Sequence, residues 1–469
     1  AWRRLKFDEL LAQQLAMRIA YRERRGKCAP RMPDRHTLTN LLVKSLPFAL
    51  TRAQKKAWAT IAHDLAQPHP MRRLLQGDVG SGKTLVAALA ALQAIENDWQ
   101  VALMAPTEIL AEQHYLKLAH WLEPLGVKVS WLAGSLKARA KKAAAEAIAR
   151  GETQLAIGTH ALFQEGVDFQ RLGLAIVDEQ HRFGVAQRLA LTGKGTEPHQ
   201  LMMSATPIPR TLSMSYYADL DVSVIDELPP GRTPVVTKLV DESRRDEVIQ
   251  RIRASCAEGA QAYWVCPLIE ESETLQLKTA LETFETLKAT FPDLAVGLVH
   301  GRMKPDEKAQ VMADFKAKRV QLLVATTVIE VGVDVPNATL MVIEHAERMG
   351  LAQLHQLRGR VGRGTGRSLA ILLYHQPLSE MARARLKVIY GTTDGFEIAR
   401  QDLLQRGPGE YLGARQSGAP LLRFADLERD TDLIELAREV ADTMLSERSH
   451  AVERHLDRWL GHRQFYLKA

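Results

Sequence analysis

Short apolar runs alternate with longer segments of helical periodicity between residues 47 and 230. Strands that alternate with helices predict a parallel sheet covered by helices on both faces. The same rhythm resumes after a Pro- and Gly-containing stretch at residues 228–234, which we interpret as an interdomain linker. We therefore expect two α/β domains. The predicted strands are RRLLQ, VALMAP, TQLAIGT, LAIVDE and QLMMSAT in the first domain, and AYWVCPL, AVGLVHG, VQLLVATT, ATLMVIEHA and SLAILLYH in the second.

The two ends of the chain are predicted to be helical. The first 25 residues are charged and amphipathic, with Leu10, Leu15 and Ile19 near one face. From about Ser379 the pattern is again helical and polar, and RGPGEYLG interrupts it. The predicted organisation is a helical linker at residues 1–46, α/β domains at 47–230 and 231–378, a helical hairpin with its loop at 379–425 and a helical tail at 426–469.

Composition narrows the class of partner and the compartment. The 469-residue chain has a formal net charge of +7 and a pI of about 9.2, which favours a polyanionic partner. Its three cysteines are widely spaced and form no CxxC pair, which indicates a reducing compartment, the cytoplasm, and neither a disulfide framework nor a zinc site. No apolar run reaches membrane-spanning length, and the first residues do not resemble a secretory signal.

The segment GDVGSGKT follows a predicted strand and precedes a predicted helix. It fits the pattern GxxxxGK[ST], in which backbone N–H groups and a helix N-terminus face phosphate oxygens. Lys83 can reach the β- and γ-phosphates of ATP, and the Thr84 hydroxyl can ligate Mg²⁺. A glycine-rich turn that matches by chance would not explain the strand–loop–helix context. The predicted nucleotide-binding residues here are Gly77, Asp78, Val79, Gly80, Ser81, Gly82, Lys83 and Thr84.

Two carboxylates end a later predicted strand, in LAIVDEQH. Hydrolysis of a nucleotide needs a carboxylate that holds the metal ion and a base that activates water, both at a strand end facing the crevice. We expect Asp178 to hold Mg²⁺ through water and Glu179 to orient and deprotonate the attacking water. Alone, this pair would be read as a solvated strand end, but after a phosphate loop it predicts a catalytic site.

With MSATPIPRT, which begins at Met203, these motifs resemble those of superfamily-2 helicases and translocases. The resemblance implies two RecA-like domains with ATP between them. It also implies that Ser204 and Thr206 link the nucleotide site to the nucleic acid. Upstream, PFALTRAQ resembles the adenine-reading motif, which implies that Gln54 pairs with adenine and Phe48 stacks on it. The alternatives are a helix-surface amide for Gln54 and a core aromatic for Phe48.

The second α/β block carries QLRGRVGR, which resembles the arginine-finger motif of the same superfamily. The resemblance implies that Arg360 and Arg363 reach the γ-phosphate across the cleft, where a guanidinium stabilises the developing charge. Because these arginines belong to the other domain, hydrolysis would require closure of the cleft. In the preceding motif, ATTVIEVGVD, Gly332 and Asp334 would approach the ribose and the interdomain hinge.

The resemblance further implies DNA contacts from loops above the sheets. These loops offer backbone N–H groups and hydroxyls, which suit phosphates better than base edges. The sequence has no helix-turn-helix or zinc-finger pattern, so base-specific readout is not expected. Each loop could equally be an ordinary turn. The implied DNA-contact residues are Thr107, Ser135, Thr159, His160, Arg302, Thr326 and Thr327.

The C-terminal part narrows the resemblance. Residues 398–418, IARQDLLQRGPGEYLGARQSG, resemble the translocation motif of the RecG family of bacterial branch-migrating motors, and the transcription-repair translocase Mfd carries a related segment. The resemblance implies a helical hairpin held by Arg385 and Arg406 and a loop in which Gln416 couples the ATP state to DNA movement. Gln356 is a further implied coupling residue. The alternative is a purely structural helix pair.

The RecG resemblance implies an ATP- and Mg²⁺-dependent motor that moves 3′→5′ on double-stranded DNA, reverses replication forks and migrates Holliday junctions. It implies a monomer in the bacterial cytoplasm, associated with the nucleoid, with single-strand DNA-binding protein as a candidate partner. Three alternatives stay open. They are an Mfd-like duplex translocase, a restriction-type nuclease subunit and a nucleotide-dependent binding module without motor activity.

One feature of the RecG family has no counterpart in this sequence. RecG proteins carry an N-terminal wedge domain with an OB-fold, and no segment here resembles it. The chain starts at Ala1, without Met and within a predicted helix, so we expect it to be a piece of a longer protein. On this basis we expect ATP hydrolysis and duplex binding, with poor recognition of branched DNA.

Overall fold

The computed structural model contains two parallel β-sheets, each flanked by helices, and a group of helices formed by the two ends of the chain. Within the described residues, no helix is both long enough and apolar enough to cross a membrane. The structure describes residues 1–134, 136–163, 166–179, 197–205, 220–229, 233–266, 273–326, 335–362, 364, 366–406, 422–426, 429–447 and 449–461.

The first domain is built on the larger sheet. Its strands are β1 (Arg72–Gly77), β2 (Gln100–Met104), β3 (Val129–Leu132), β4 (Leu155–Gly158), β5 (Leu172–Asp178), β6 (His199–Ser204) and β7 (Asp221–Ile225). The helices before and between them are α1 (Trp2–Arg25), α2 (Leu38–Ser45), α3 (Arg52–Leu65), α4 (Lys83–Glu96), α5 (Glu108–Leu122) and α6 (Ala138–Ala149). The strands pair in parallel in the order β3-β4-β2-β5-β6-β1-β7.

The second domain repeats this design with a smaller sheet. Its strands are β8 (Val236–Asp241), β9 (Gln261–Val265), β10 (Val296–Val299), β11 (Leu322–Ala325), β12 (Ala338–Ile343) and β13 (Leu369–Tyr374). Its helices are α7 (Arg245–Ala257), α8 (Glu273–Thr290), α9 (Pro305–Lys316) and α10 (Leu351–Arg358). All pairings are parallel, in the order β10-β11-β9-β12-β13-β8.

The predicted fold class is confirmed, and each predicted strand forms in the structure. The strands that the pattern missed are β3, β7 and β8, and each lies at the edge of its sheet. Central strands of a parallel sheet are buried on both faces and give continuous apolar runs. Edge strands are partly exposed, as β8 is, so their polar residues hide them from a search for such runs.

Helix α4 holds the start of the nucleotide site in place. Alanines and leucines cover all its faces, and residues 85–95 are buried. A helix that is apolar all round lies inside a protein. Its side chains pack with Leu103 of β2, Ile176 of β5 and Leu201 of β6. The residue that begins α4, Lys83, is therefore anchored to the centre of the first domain.

The ends of the chain form one helical group on the first sheet. Its C-terminal helices are α11 (Glu380–Gly391), α12 (Gly395–Arg406), α13 (Thr431–Glu447) and α14 (Ser449–Trp459). On α1, Leu10 and Leu15 are fully buried and pack with Ala437 of α13, Val452 of α14 and Leu74 of β1. Helix α1, which begins the predicted linker at residues 1–46, packs against the surface of the first sheet.

The α11–α12 hairpin belongs to two hydrophobic cores. Leu386 and Ile389 of α11 and Ile398 of α12 pack in the core of the second domain. Leu403, further along α12, packs instead with the α1–α13–α14 group on the first sheet. The hairpin therefore connects the two domains by packing as well as through the chain.

A buried carboxylate fixes the segment that follows the hairpin. Glu9 of α1 is 7% exposed and accepts hydrogen bonds from three consecutive backbone N–H groups, those of Arg423, Phe424 and Ala425, at 2.6, 2.9 and 2.9 Å. Hydrogen bonds to an ionised acceptor are stronger than neutral ones. Lys6 adds an ion pair to Asp430 at 2.8 Å, with both side chains largely buried.

Replacing Glu9 with Ala should loosen this segment. Three N–H groups would lose an ionised acceptor, at a cost of roughly 2–3 kcal/mol. Hydrogen exchange should become faster at residues 423–425. The midpoint of thermal unfolding should fall. Glu435→Ala, on the exposed side of α13, is the control and should change neither. Unchanged exchange at 423–425 in Glu9→Ala would contradict this role of Glu9.

Candidate active site

Three neighbouring strands bring the predicted motifs to one edge of the first sheet. β5, β6 and β1 are adjacent, and their carboxyl ends carry Asp178, Ser204 and Gly77. Gln76 is in register with Ser204, and Asp178 with Met203. Ligands of open parallel sheets bind outside the carboxyl ends of the strands. This edge is therefore the candidate nucleotide site.

The phosphate loop has a backbone that its glycines permit. Gly80 and Gly82 have φ angles of +78° and +92°, a region that favours glycine. Gly82 leads directly into α4, whose first N–H groups have no acceptor within the helix. The Lys83 ammonium donates to the carbonyls of Gly77 and Asp78 at 2.6 and 3.0 Å. The loop thus presents N–H groups and one cation at the same edge.

Asp178 is buried and hydrogen-bonded at both carboxylate oxygens. Nε2 of His114, on α5, lies 2.7 Å from Oδ2, and the N–H of Glu179 donates to Oδ1 at 3.0 Å. Burial raises the pKa of Asp178, but His114, the charge of Lys83 and the Glu179 N–H lower it more, so the pKa lies below its ordinary value. Asp178 is therefore an ionised oxygen ligand at neutral pH.

The donors at this edge fit a magnesium ion. Mg²⁺ prefers oxygen ligands, and in phosphate-loop enzymes it takes few from the protein and others from the nucleotide. Thr84 lies in the first turn of α4 and offers a hydroxyl, and Asp178 offers an ionised carboxylate. Thr84 would ligate the ion directly, and Asp178 would hold it through water. Such an ion would neutralise charge on the β- and γ-phosphates.

Glu179 has an unusual backbone. Its φ angle is +51°, which is uncommon for a residue with a side chain. The left-handed conformation ends the strand path of β5 and turns the half-buried side chain away from the direction that a continued strand would give it. The predicted catalytic base therefore lies at the carboxyl end of β5, directly after Asp178.

Gln54 lies directly behind the phosphate loop. It is 2% exposed, its Oε1 accepts from the N–H of Thr51 at 2.9 Å, and its Nε2 donates to the carbonyl of Ser81 at 2.8 Å. Pairing with adenine would require exchanging these bonds, so the adenine-reading role stays a prediction. Phe48 is 49% exposed, which rules out the core alternative and leaves its ring accessible for stacking.

The second domain contacts the phosphate loop directly. Nε2 of His355, on α10, lies 2.7 Å from Oδ1 of Asp78. A Cβ atom placed on Gly359 would lie only 2.9 Å from Cβ of Val79, so the backbones approach as closely as glycine allows. Arg360 is the next residue and is half-buried. The phosphate loop and the segment that carries Arg360 therefore lie at one interface.

Contacts at this interface help to set the pKa of the Asp78 carboxyl group. Burial raises its pKa, whereas the hydrogen bond from His355, the Val79 N–H at 2.6 Å and the charge of Lys83 lower it. The net effect holds the pKa of Asp78 below its ordinary value. An ionised carboxylate thus joins the two domains at neutral pH.

Those predicted DNA-contact residues that the structure describes lie at strand ends and helix starts. Thr107 caps α5, and its Oγ1 accepts from the N–H of Leu110 at 3.4 Å. Thr159 and Thr326 are buried, at 4% and 6% exposure. His160 and Arg302 are exposed, so basic side chains can reach a phosphate more readily than these two hydroxyls can. The structure carries no nucleic acid, and these roles stay predictions.

The predicted coupling residues are partly described. Ser204 and Gln356 are buried. Arg385 of α11 donates from Nη2 to the carbonyl of Glu347 at 2.8 Å, which ties the hairpin to the second domain. Arg406 ends α12, and its side chain lies outside the described residues. Also outside them are Ser135, Thr206, Thr327, Gly332, Asp334, Arg363 and Gln416.

Sequence reasoning missed two histidines of the site. His114 and His355 each place Nε2 2.7 Å from a carboxylate of the nucleotide site, those of Asp178 and Asp78. Both histidines are buried. The available signal was weak, because one histidine within an apolar helix is more often a core residue. For His355, the one useful signal in the sequence was its position directly before Gln356, the first residue of the arginine-finger motif.

The fold and this interface define the class of protein. Two parallel-sheet domains that meet at a phosphate loop, with a carboxylate pair two strands away from that loop in the first sheet, form a P-loop NTPase of the helicase type. Family models match the chain in the corresponding order. They are the DEAD/DEAH box helicase at residues 51–215, the helicase conserved C-terminal domain at 243–365, and the C-terminal part of domain 3 of the ATP-dependent DNA helicase RecG at 392–458.

Curated relatives identify the family. The chain is 57% identical over 466 residues to the ATP-dependent DNA helicase RecG of Acidithiobacillus ferridurans and 55% identical over 474 residues to that of Escherichia coli K12. The alignments cover 99% and 100% of this chain and 68% of each relative. The chain therefore belongs to the RecG family of ATP-dependent DNA helicases and is an ATP-hydrolysing enzyme. The predicted resemblance is confirmed, and the nuclease-subunit and binding-module alternatives fall away.

Solved structures agree with this assignment. A structure of RecG bound to a three-way DNA junction matches with a TM-score of 0.75 and 45% identity, covering 92% of this chain and 56% of that chain. The present chain thus spans little more than half of that protein. Yeast Dbp5 bound to RNA and ADP BeF3 matches with a TM-score of 0.59 at 16% identity, over 80% of this chain and 97% of that chain, which supports the fold alone.

Glu179→Gln should separate ATP binding from ATP hydrolysis. Loss of a general base lowers the rate by roughly 10²–10⁴-fold, whereas the phosphate loop is unchanged. Phosphate release and binding of a fluorescent ATP analogue measure the two effects. Glu152→Gln, in an exposed pair with Arg150, is the matched control. Hydrolysis at the normal rate in Glu179→Gln would remove Glu179 from the catalytic site.

His114→Leu should weaken the use of Mg²⁺. Without its partner, the carboxylate of Asp178 is oriented less well, and such changes around a metal ligand cost about 10–100-fold in metal affinity or activity. The Mg²⁺ concentration for half-maximal hydrolysis should rise. This concentration should rise less in His114→Gln, because Gln can keep an N–H near Asp178. It should not rise in His120→Leu, a change at the exposed end of α5. Identical Mg²⁺ curves for all variants would contradict the role of His114.

Proposed function

We propose that the chain hydrolyses ATP in the gap between its two domains to move along double-stranded DNA, and thereby remodels replication forks and Holliday junctions. The observation that carries this proposal is the contact between the phosphate loop and α10, Asp78 Oδ1 to His355 Nε2 at 2.7 Å. A pocket shared by two domains changes shape when its ligand changes. Membership of the RecG family and the RecG structure bound to a three-way junction support DNA as the track.

In the proposed cycle, the two domains supply opposite halves of the pocket. Lys83 binds the β- and γ-phosphates, Asp178 and Thr84 hold Mg²⁺, and Glu179 activates the attacking water. Arg360 and Arg363 stabilise the charge that develops on the γ-phosphate once the cleft closes. The burial of Asp178 with Lys83 nearby supports this division of roles, because a dry site strengthens each electrostatic contact. Hydrolysis and release then reopen the cleft.

The proposed DNA path runs over the loops at the carboxyl ends of both sheets. Exposed His160 on the first domain and exposed Arg302 on the second support phosphate contacts on either side of the cleft. A net charge of +7 supports attraction to a polyanion. Because each domain holds its own stretch of DNA, opening and closing of the cleft would change the distance between the two grips and advance the duplex.

Several finer features belong to the same proposal. We propose 3′→5′ movement, action as a monomer in the bacterial cytoplasm near the nucleoid, and single-strand DNA-binding protein as a partner. The match of residues 392–458 to a RecG-specific domain favours this reading over an Mfd-like coupling of transcription to repair. The proposal also includes the domain limits predicted from the sequence and the coupling roles of Ser204, Gln356 and Arg385.

Duplex DNA should stimulate hydrolysis by the purified chain. Phosphate release would be compared with no DNA, with a linear duplex and with a three-way fork, alongside strand displacement from the fork. Both DNAs should accelerate release above the rate without DNA, because the proposed grips bind backbone phosphates. Lys83→Ala, which loses its phosphate contact, is the inactive control.

Two outcomes would correct the proposal. If neither DNA accelerates phosphate release, the motor function is wrong. If the fork stimulates far more strongly than the linear duplex, the expectation of poor branch recognition is wrong, and branch recognition resides in this chain.

A further inference from the structure

The side chain of His355 lies where three parts of the molecule meet. It is 5% exposed on α10, with Nε2 2.7 Å from Oδ1 of Asp78 and Nδ1 2.9 Å from Nη2 of Arg358. A Cβ atom on Gly395, the first residue of α12, would lie 2.7 Å from Nε2 of His355 and 3.2 Å from Oδ2 of Asp78. The phosphate loop, the arginine-motif helix and the hairpin corner therefore touch at one point.

The hydrogen bonds at this point have one direction. A guanidinium only donates, so Nδ1 of His355 accepts from Arg358. The proton of the neutral ring then lies on Nε2, which donates to the carboxylate of Asp78. The chain of donors runs from Arg358 through His355 to Asp78, with a full charge at each end.

Arg358 continues this chain into the hairpin. Its Nη1 donates to the carbonyls of Ile389 and Thr392 at 2.9 and 2.8 Å. Ile389 is in the last turn of α11 and Thr392 follows that helix, so these are carbonyls that a helix end leaves available and that favour a cation. Burial lowers the pKa of Arg358 to about 10, which leaves it charged at neutral pH. Arg358 thus fixes the corner between α11 and α12.

The other end of the chain lies in the part of the phosphate loop that the nucleotide must affect. Lys83 donates to the carbonyls of Gly77 and Asp78. A lysine that binds the β- and γ-phosphates uses the same ammonium hydrogens. Binding of a triphosphate therefore exchanges contacts that hold the backbone of Asp78. Any shift of that backbone acts on the carboxylate that His355 holds.

We propose that His355 is a positioning residue that transmits the state of the phosphate loop to the corner between α11 and α12. It does so by keeping Asp78, Arg358 and the carbonyls of Ile389 and Thr392 in one hydrogen-bonded chain. The tight fit of Gly395 against His355 and Asp78 makes the corner follow any change at this pair. The proposal rests on the motor function proposed above and gives that motor a specific link between nucleotide and hairpin.

Two substitutions separate this role from simple packing. Gln carries an acceptor oxygen and a donor nitrogen on one side chain and can replace both ring nitrogens, so His355→Gln should preserve the chain. His355→Met fills the space and can make neither bond. His375, an exposed histidine 2.9 Å from Glu242 in the same domain, provides the control variant His375→Met.

Hydrogen exchange tests the link without DNA. The full chain would be compared with and without a saturating non-hydrolysable ATP analogue, with exchange followed at residues 389–398. The analogue should change exchange there in the wild type, in His355→Gln and in His375→Met, and should leave it unchanged in His355→Met. The proposal would be overturned if the analogue did not change hydrogen exchange at residues 389–398 in the wild type. It would also be overturned if the analogue changed exchange equally in His355→Met and in the wild type.

A second measurement relates the link to movement. The number of forks remodelled per ATP hydrolysed should fall roughly tenfold or more in His355→Met, the size expected when a hydrogen bond to a charged group is lost. His355→Gln should recover most of this ratio, and equal losses in both variants would mean that His355 acts only by packing. If neither linear duplex nor fork accelerates phosphate release by the wild type, the motor function fails, while the exchange experiment still decides the role of His355.

Discussion

The nucleotide pocket depends on a contact between two sheets that fold around separate cores. Parallel strands deliver their carboxyl ends to one edge, so the first sheet can present a phosphate loop and a carboxylate pair but no residue from its own opposite side. The second sheet supplies that side through α10. The neighbouring backbones of Val79 and Gly359, and the Asp78–His355 pair, show how close the approach is. Without this contact the phosphate loop would face no described residue of the second domain.

The sequence predicts the parts of this pocket well and their connections poorly. Gly77 to Thr84 and the Asp178–Glu179 pair are local patterns, because a turn, a helix start and a strand end each need particular residues at fixed spacing. The central strands are equally visible, since burial on both faces demands apolar runs. The positive φ of Glu179 and the partners of its neighbour Asp178 depend on distant residues. No spacing rule brings α5 or α10 to these carboxylates, so His114 and His355 could be recognised only once the fold was known.

Three buried polar residues of the described part of the chain each join two elements in a fixed relation. Glu9 binds the segment after the hairpin to α1, Arg358 binds the hairpin corner to α10, and His114 binds α5 to Asp178 at the end of β5. Each of these groups would be costly to bury without its partners. Apolar contacts give the domains their stability, whereas these few directed bonds set the relative positions of the elements that they join. The motif residues and the residues that position them thus follow different physical rules.

The hairpin that shares two hydrophobic cores also limits how the domains can move. The chain passes from the first sheet to the second between β7 and β8, and α12 returns to the first sheet, where Leu403 packs. Two domains connected at two separate places cannot rotate freely about either connection alone. The rotation that costs least is about the line through both connections, which leaves the pair close to a single degree of freedom. In the proposed motor, such an architecture would make each cycle repeat the same stroke, because it offers few other paths.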